Sequence, residues 1–194
     1  MAYTPKILAL AGSLREGSYN KKLLKIAAEG AEKKGASVTI IDLRDYPMPF
    51  MDQDIEEASG LPENAIKIKE LLWEHDALLI ASPEYNSSIS GVLKNTIDWA
   101  SRQADEKEKP LSCFRGKSAA IMSASIGVWG GLRGLVHLRA ILQNIGVLVL
   151  PEQQTVPLAQ EAFNEEGRLR NSGRENRIAD LGGSLSDFVV QLNK

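Results

Sequence analysis

Residues Ala81–Asp98 read ASPEYNSSISGVLKNTID and follow directly on the apolar run Ala77-Leu78-Leu79-Ile80. A short apolar run closed by a polar break has the length and composition of a buried parallel strand. The polar loop Ser82–Ser88 then gives way to a helix that opens near Gly91. Strand, polar loop and helix in that order belong to the carboxyl edge of an open α/β sheet, where such sheets bind ligands. The loop carries a phenol ring at Tyr85 and an amide at Asn86, both able to address a flat heteroaromatic molecule.

The same alternation extends in both directions. Lys6–Ala11 (KILALA) reads as a first strand, and the loop GSLREGSYN (Gly12–Asn20) leads into a helix from about Ser18 to Lys34. Leu23, Leu24, Ile26, Ala27, Ala28 and Ala31 give that helix its apolar face, and Gly35 ends it. Ser37–Leu43 is a second strand. The following excursion, punctuated by Pro47, Pro49, Gly60 and Pro62, is expected to lie over one edge of the sheet. Ala65–Glu74 is a helix, Asp76–Ser82 the third strand, and Gly91–Arg102 a further helix. After the charged loop Gln103–Lys109, Ser118–Ala124 forms a fourth strand that breaks at Ser125–Gly131. A helix over Leu132–Asn144, a fifth strand over Val147–Leu150 and a last helix over Arg174–Leu192 complete the chain. Five strands alternating with five helices predict one doubly wound α/β domain. Its sheet is expected to be parallel, in the order 2-1-3-4-5, with right-handed crossovers.

Composition narrows the function. At 194 residues with 43% apolar and 25% charged residues, the chain suits one soluble domain. A net charge of −2 gives no electrostatic reason to expect nucleic acid or an anionic membrane as partner. No run reaches the roughly 18 apolar residues of a membrane span. The short apolar run near the start reads as a strand rather than a signal peptide. A single cysteine, Cys113, excludes an internal disulfide and suits a reducing cytoplasm. His75 and His137 have no Cys or His neighbour at ligand spacing, so no metal is expected.

Three strand-to-helix loops, after strands one, three and four, are polar and glycine-rich, and a parallel sheet brings all three to one edge. In the first, Ser13, Ser18 and Asn20 offer side-chain donors beside a helix N-terminus, and Arg15 adds a full charge: a setting for phosphate, or simply an N-capping loop. The spacing fits neither the P-loop pattern nor GxGxxG. In the third, SASIGVWGG (Ser123–Gly131), Gly127, Gly130 and Gly131 permit close backbone approach to a planar ring, or a flexible turn. Trp129 reads as a stacking partner or an interface residue. Glu84 reads as a loop organiser, and Asn86 as a helix cap or a ligand contact. Lys94, Asn95 and Asp98 read as surface or interface residues, and His137, inside an apolar helix, as a packed or interface residue rather than a base. Cys113 lacks a partner that would make it a catalytic thiol.

Three pieces resemble a known family: AGSLREGSYNKKL (Ala11–Leu23), ASPEYNSSISGVLKNTIDWASR (Ala81–Arg102) and SASIGVWGGLR (Ser123–Arg133). In order and spacing they are similar to the NAD(P)H-dependent FMN reductases, flavodoxin-like proteins that include quinone, chromate and azo-dye reductases. The resemblance implies that Ser13, Arg15, Ser18 and Asn20 hold the FMN phosphate. It implies further that Pro83, Glu84, Tyr85 and Asn86 line the isoalloxazine, while Ser123, Ser125 and Gly127 approach its pyrimidine side. Ile126 stands where many relatives carry proline, and Val128-Trp129 also depart from the family pattern.

The activity implied is hydride transfer from NAD(P)H through bound FMN to a quinone or similar small acceptor, both substrates using one space in ping-pong order. No side chain need act as general base, because the hydride chemistry belongs to the cofactor. The competing expectation is a flavin-holding electron carrier without NAD(P)H turnover. The apolar helices near Trp99 and Leu135 suggest a homo-oligomer, dimer or tetramer, closing over the flavin.

Overall fold

Alternation along the strands divides the interior in two. In the computed structural model, which describes residues 3–193, five parallel strands form one sheet. They are β1 (Lys6–Ala11), β2 (Ser37–Asp42), β3 (Ala77–Ala81), β4 (Ser118–Ala124) and β5 (Leu148–Val156), ordered β2-β1-β3-β4-β5. Ile7, Ala9 and Ala11 of β1, with Ala77, Leu79 and Ala81 of β3, meet one set of helices; Leu8, Leu10, Leu78 and Ile80 meet the other. The helices are α1 (Tyr19–Lys33), α2 (Gln53–Ser59), α3 (Glu63–Glu74), α4 (Gly91–Ala100), α5 (Leu132–Asn144), α6 (Ala159–Ala162) and α7 (Ser172–Leu192). α1 and α7 cover the alanine-rich face, while α3, α4 and α5 cover the Leu/Ile-rich face. This is the flavodoxin-like, doubly wound sheet the sequence predicts, in the expected strand order.

Three details differ from expectation. The excursion after β2 contains a helix, α2, with no buried residue and hence no apolar stripe to betray it. It is held instead by its ends and by an Arg102–Glu56 ion pair of 2.8 Å. The excursion lies over α4 and not over a sheet edge. The Pro49 carbonyl accepts from Asn95 Nδ2 (2.9 Å) and Trp99 Nε1 (2.8 Å), and the Met51 N–H donates to Asn95 Oδ1 (2.7 Å). Strand β5 runs on to Val156, through a register shift opposite Ala119–Ile121. Pro151 interrupts it without ending it, because β5 is an edge strand where a missing N–H is tolerated. Arg139 satisfies carbonyls in that irregular stretch, donating to Leu150 O at 2.7 Å.

Glycine decides how closely α1 and α7 pack. A Cβ at Gly30 would overlap the Ala179 carbonyl, and one at Gly182 would overlap the Ala27 carbonyl. A helix backbone cannot yield as a side chain can, so Gly182→Ala must push the helices apart. The expected cost is about 1–3 kcal/mol, despite alanine's better helix propensity. A urea midpoint lowered relative to wild type checks it; an unchanged or raised midpoint refutes the close-packing account.

Candidate functional site

The loops after β1, β3 and β4 are joined to one another in every pairing. The Gly12 N–H donates to Ala81 O (2.9 Å) and the Ser90 hydroxyl to Gly12 O (2.6 Å), tying the first loop to the second. Asn20 Nδ2 donates to Ala124 O, and the Ala124 N–H returns to Asn20 Oδ1, both at 2.9 Å and both buried; this ties the first to the third. Glu84 ties the second to the third. Its carboxylate accepts from Arg133 Nε (2.9 Å), Arg133 Nη2 (2.5 Å) and the Gly134 N–H (3.1 Å), so it caps α5 from outside that helix. One rim at the carboxyl edge of the sheet results.

The first loop is arranged for an anion. Ser13 and Ser18 are buried, while Leu14–Gly17 stand exposed. The Ser13 hydroxyl accepts the Arg15 N–H at 3.3 Å, which curls the loop. Arg15's guanidinium has no hydrogen-bond or ion-pair partner among the described residues. Ser18 occupies the N-cap position of α1 without a side-chain capping bond, and the first turn holds no acidic residue. The open N–H groups and the positive end of the helix therefore face a place where an anion is favoured. Asn20 differs from its neighbours, since its amide is fully engaged with Ala124.

The second loop lifts an aromatic ring into solvent. Tyr85 and Ser88 exchange backbone bonds (2.9 and 3.1 Å) around Asn86 and Ser87, whose φ values are 50° and 66°. Two left-handed residues in a two-residue turn define type I′. Asn86 thus supplies a turn, and Ser90 rather than Asn86 caps α4, accepting from the Leu93 N–H at 3.3 Å. Pro83 is buried at the base of the loop; Tyr85 is 52% exposed at its tip. Burial works against ionisation of Glu84, but the Gly134 N–H and the Arg133 guanidinium outweigh it and hold the carboxyl below its ordinary range. Glu84 is an ionised organiser of the loop.

The third loop corrects the reading of its glycines. Gly130 (φ 61°) and Gly131 (φ 89°) are buried, and a Cβ would strike the Val156–Pro157 backbone at the first and the Ser123 hydroxyl at the second. They serve packing within the chain. Gly127 alone stays exposed, with its N–H donating to the Ser125 hydroxyl at 3.2 Å. Ser123 is fully buried beneath Gly131, and its hydroxyl has no hydrogen-bond partner. Ile126, Val128 and Trp129 project into solvent at 62%, 71% and 62% exposure.

Residues away from the rim sort plainly. Burial raises the Cys113 thiol to about 11, so it stays protonated and inert at neutral pH. His137 is exposed rather than packed, with Nδ1 3.0 Å from the Ser88 hydroxyl. Trp99 and Leu135 are fully buried and offer no surface to a second subunit. The exposed apolar residues of that region are Trp129, Leu132 and Val136 instead. Among the described residues no helix is long and apolar enough to cross a membrane, and no cluster of three or more potential ligands could hold a metal. Local sequence assigns no part to Ser90, Arg133 or Gly134, whose roles depend on contacts 49–78 positions away in the chain.

Known proteins share this architecture along nearly the whole chain. The chain is 41% identical over 188 residues to an NAD(P)H-dependent FMN reductase of Pseudomonas aeruginosa, covering 96% of each protein. It is 38% identical over 193 residues to the quinone reductase of Escherichia coli K12, again covering 96% of each. Among solved structures, the flavoenzyme NAD(P)H:(acceptor) oxidoreductase FerB of Paracoccus denitrificans superposes with a TM-score of 0.76 at 26% identity, over 96% of this chain and 97% of that one. An archaeal flavodoxin shares the fold with a TM-score of 0.61 at 13% identity, over 95% of this chain and 98% of that one. The profile of NADPH-dependent FMN reductases matches residues 5–161, and the chain belongs to that family.

Proposed function

We propose that the rim holds FMN and that the enzyme carries a hydride from NAD(P)H to a quinone or similar small acceptor. The observation that carries this reading is the first loop: an unpartnered Arg15 guanidinium, two buried hydroxyls and an uncapped α1 N-terminus, hydrogen-bonded to a turn that lifts Tyr85 into solvent. That donor set fits a phosphorylated molecule with a flat ring. Bound there, FMN supplies two-electron chemistry that links a nicotinamide to a second acceptor.

The chain's own residues bind, orient and exclude. Ser13, Arg15 and Ser18 neutralise and hold the phosphate, with the α1 N-terminus behind them. Asn20 keeps the first and third loops in register through Ala124. Pro83, Glu84, Tyr85 and Asn86 form the wall along the ring: Glu84 fixes the loop to α5, and Tyr85 and Asn86 meet the ligand. Ser125 and Gly127 would flank the pyrimidine edge, and Ser123, buried beneath Gly131, would support that loop from within. One open face serves donor and acceptor in turn, so initial rates follow ping-pong patterns. Trp129, Leu132 and Val136 provide the surface on which a second copy covers the open side; light scattering that returns a fully active monomer removes that element.

The visible spectrum of the purified protein tests the reading. FMN bound by the chain is expected to bleach under anaerobic NADPH or NADH faster than free FMN does. A yellow protein that neither NADPH nor NADH bleaches faster than free FMN is a carrier and overturns the enzyme. Arg15→Ala removes one charged contact to phosphate and is expected to weaken FMN binding by about 1.5–3 kcal/mol. Fluorescence-quenching titration measures it, and an unchanged Kd refutes the phosphate assignment.

A further inference from the structure

The Tyr85–Ser88 turn is strained, and something outside it must hold it. The left-handed region is disfavoured for residues with a Cβ, a penalty that asparagine escapes in part and serine does not. Asn86 and Ser87 both sit there. The preferred sequence for such a turn is Asn-Gly, so Asn86-Ser87 is one residue short of holding itself.

Helix α5 lies directly beneath the turn. A Cβ at Gly134 would come within 3.1 Å of the Ser88 carbonyl oxygen and 3.3 Å of Glu84 Cβ, so any larger residue there would press helix and turn a few tenths of an ångström apart. On either side of Gly134 stand two ties. Arg133 grips Glu84, just before the turn, and His137 Nδ1 meets the Ser88 hydroxyl at its end. Residues 133 and 137 are four apart and share one helix face, so both ends of the turn are anchored to the same rigid element. Arg133 is accounted for by the ion pair and the cap of α5. His137 is not: it is exposed, it packs into no core, and its one described hydrogen bond is to Ser88.

We propose that His137 is a positioning residue that, through Ser88, holds the strained Asn86-Ser87 turn in the form that presents Tyr85 and Asn86 to the bound flavin. The proposal rests on the assignment of the rim to FMN, but its mechanical half concerns the protein alone. His137 touches neither cofactor nor substrate; it acts by restricting the turn. Without it the serine relaxes out of the left-handed region, and binding must restore the turn at the expense of affinity.

Two measurements on four proteins decide it: wild type, His137→Ala, His137→Gln and the double variant His137→Ala/Ser87→Gly. Hydrogen exchange is followed over residues 84–90 in the FMN-free protein, and FMN affinity by fluorescence quenching. In His137→Ala the Tyr85 and Ser88 amides are expected to exchange several-fold faster and the Kd for FMN to rise about fivefold, the effect of one lost hydrogen bond. Glutamine, which can still reach the Ser88 hydroxyl, keeps both near wild type. In the double variant the turn reads Asn-Gly and holds itself, so affinity returns to within about twofold of wild type. Unchanged exchange in His137→Ala overturns the proposal, and so does a double variant that binds FMN no better than His137→Ala. Faster exchange with a constant Kd across the series overturns the functional half: the turn is clamped but does not meet the flavin. That last result also removes Tyr85 and Asn86 from the flavin site, while the Arg15 measurement, on the phosphate side, tests FMN binding separately.

Discussion

Asn20→Ala is expected to lower unfolding free energy by about 2–6 kcal/mol and to weaken FMN binding along with it. Two buried backbone groups lose their partners at once, the N–H and the C=O of Ala124, and each orphaned group costs about 1–3 kcal/mol. Water cannot readily replace the amide, since Asn20 is only 3% exposed and Ala124 4%. Stability falls because β4 loses the anchor at its carboxyl end; affinity falls because the first and third loops lose their register. Asn20→Asp separates the two bonds. It keeps the acceptor for the Ala124 N–H and sets a carboxylate oxygen against the Ala124 carbonyl. Its negative charge, in the first turn of α1, also opposes a phosphate there, so affinity should fall further than stability does. Denaturant midpoints and FMN titrations on the two variants supply both readouts. An Asn20→Ala protein with the wild-type midpoint would show that the bonds contribute nothing net.

Asn20 also marks how far the sequence could be read. The alternation of apolar runs with amphipathic stretches disclosed the five strands and their order, because burial on both faces leaves a near-continuous apolar signature in KILALA, ALLIA and SAAIMSA. Gly35 and Gly146, at φ 86° and 88°, punctuated α1 and α5 where expected. Elements with no such signature escaped. Helix α2 buries nothing, and the second half of β5 is polar on an edge, beyond a Pro151 that reads as a stop. At the rim, residue types pointed to three converging loops, but the division of labour among them depended on contacts across the chain. The amide of Asn20 looked like a phosphate donor until Ala124, 104 positions away, claimed both of its ends. Gly130 and Gly131 looked like room for a ring, whereas the space they leave is filled by Ser123 and the Val156–Pro157 backbone. Trp99 looked like an interface and proved to be core.

Lys69 is a buried charge that the local pattern of its helix does not disclose, and Lys69→Met is expected to cost about 3–5 kcal/mol of stability at pH 7. It lies on the inner face of α3 with Ala65, Ile68 and Leu72, and its side chain is 1% exposed. The ammonium donates to the Ala100 carbonyl at the end of α4 (3.2 Å), to the Arg102 carbonyl and to Glu108 Oε1 (2.7 Å). One cation thus closes the C-terminal end of α4 and pins the charged loop that follows it. Removing it leaves Glu108 buried without its counter-ion, and breaking one side of a buried pair costs about that much. The pH dependence gives the sharper test. Burial pushes the Glu108 carboxyl up, but the Ala104 N–H, the Lys69 ammonium and the Ser112 hydroxyl outweigh it and hold the carboxyl below its ordinary range. A depressed folded pKa contributes stability that is fully present above the unfolded value, near about 4.3, and is lost as pH falls through the folded one. Without the cation, only the Ala104 N–H and the Ser112 hydroxyl are left to oppose burial, so the Glu108 carboxyl is held down less and its protonation costs folding less. The gap between wild type and Lys69→Met should therefore be widest at neutral pH and should narrow as pH drops below about 4. Lys69→Met/Glu108→Leu should recover much of the loss at pH 7, since the stranded charge is gone. Chemical denaturation across pH measures all three proteins, and a gap independent of pH would place the cost in lost packing rather than in the ion pair.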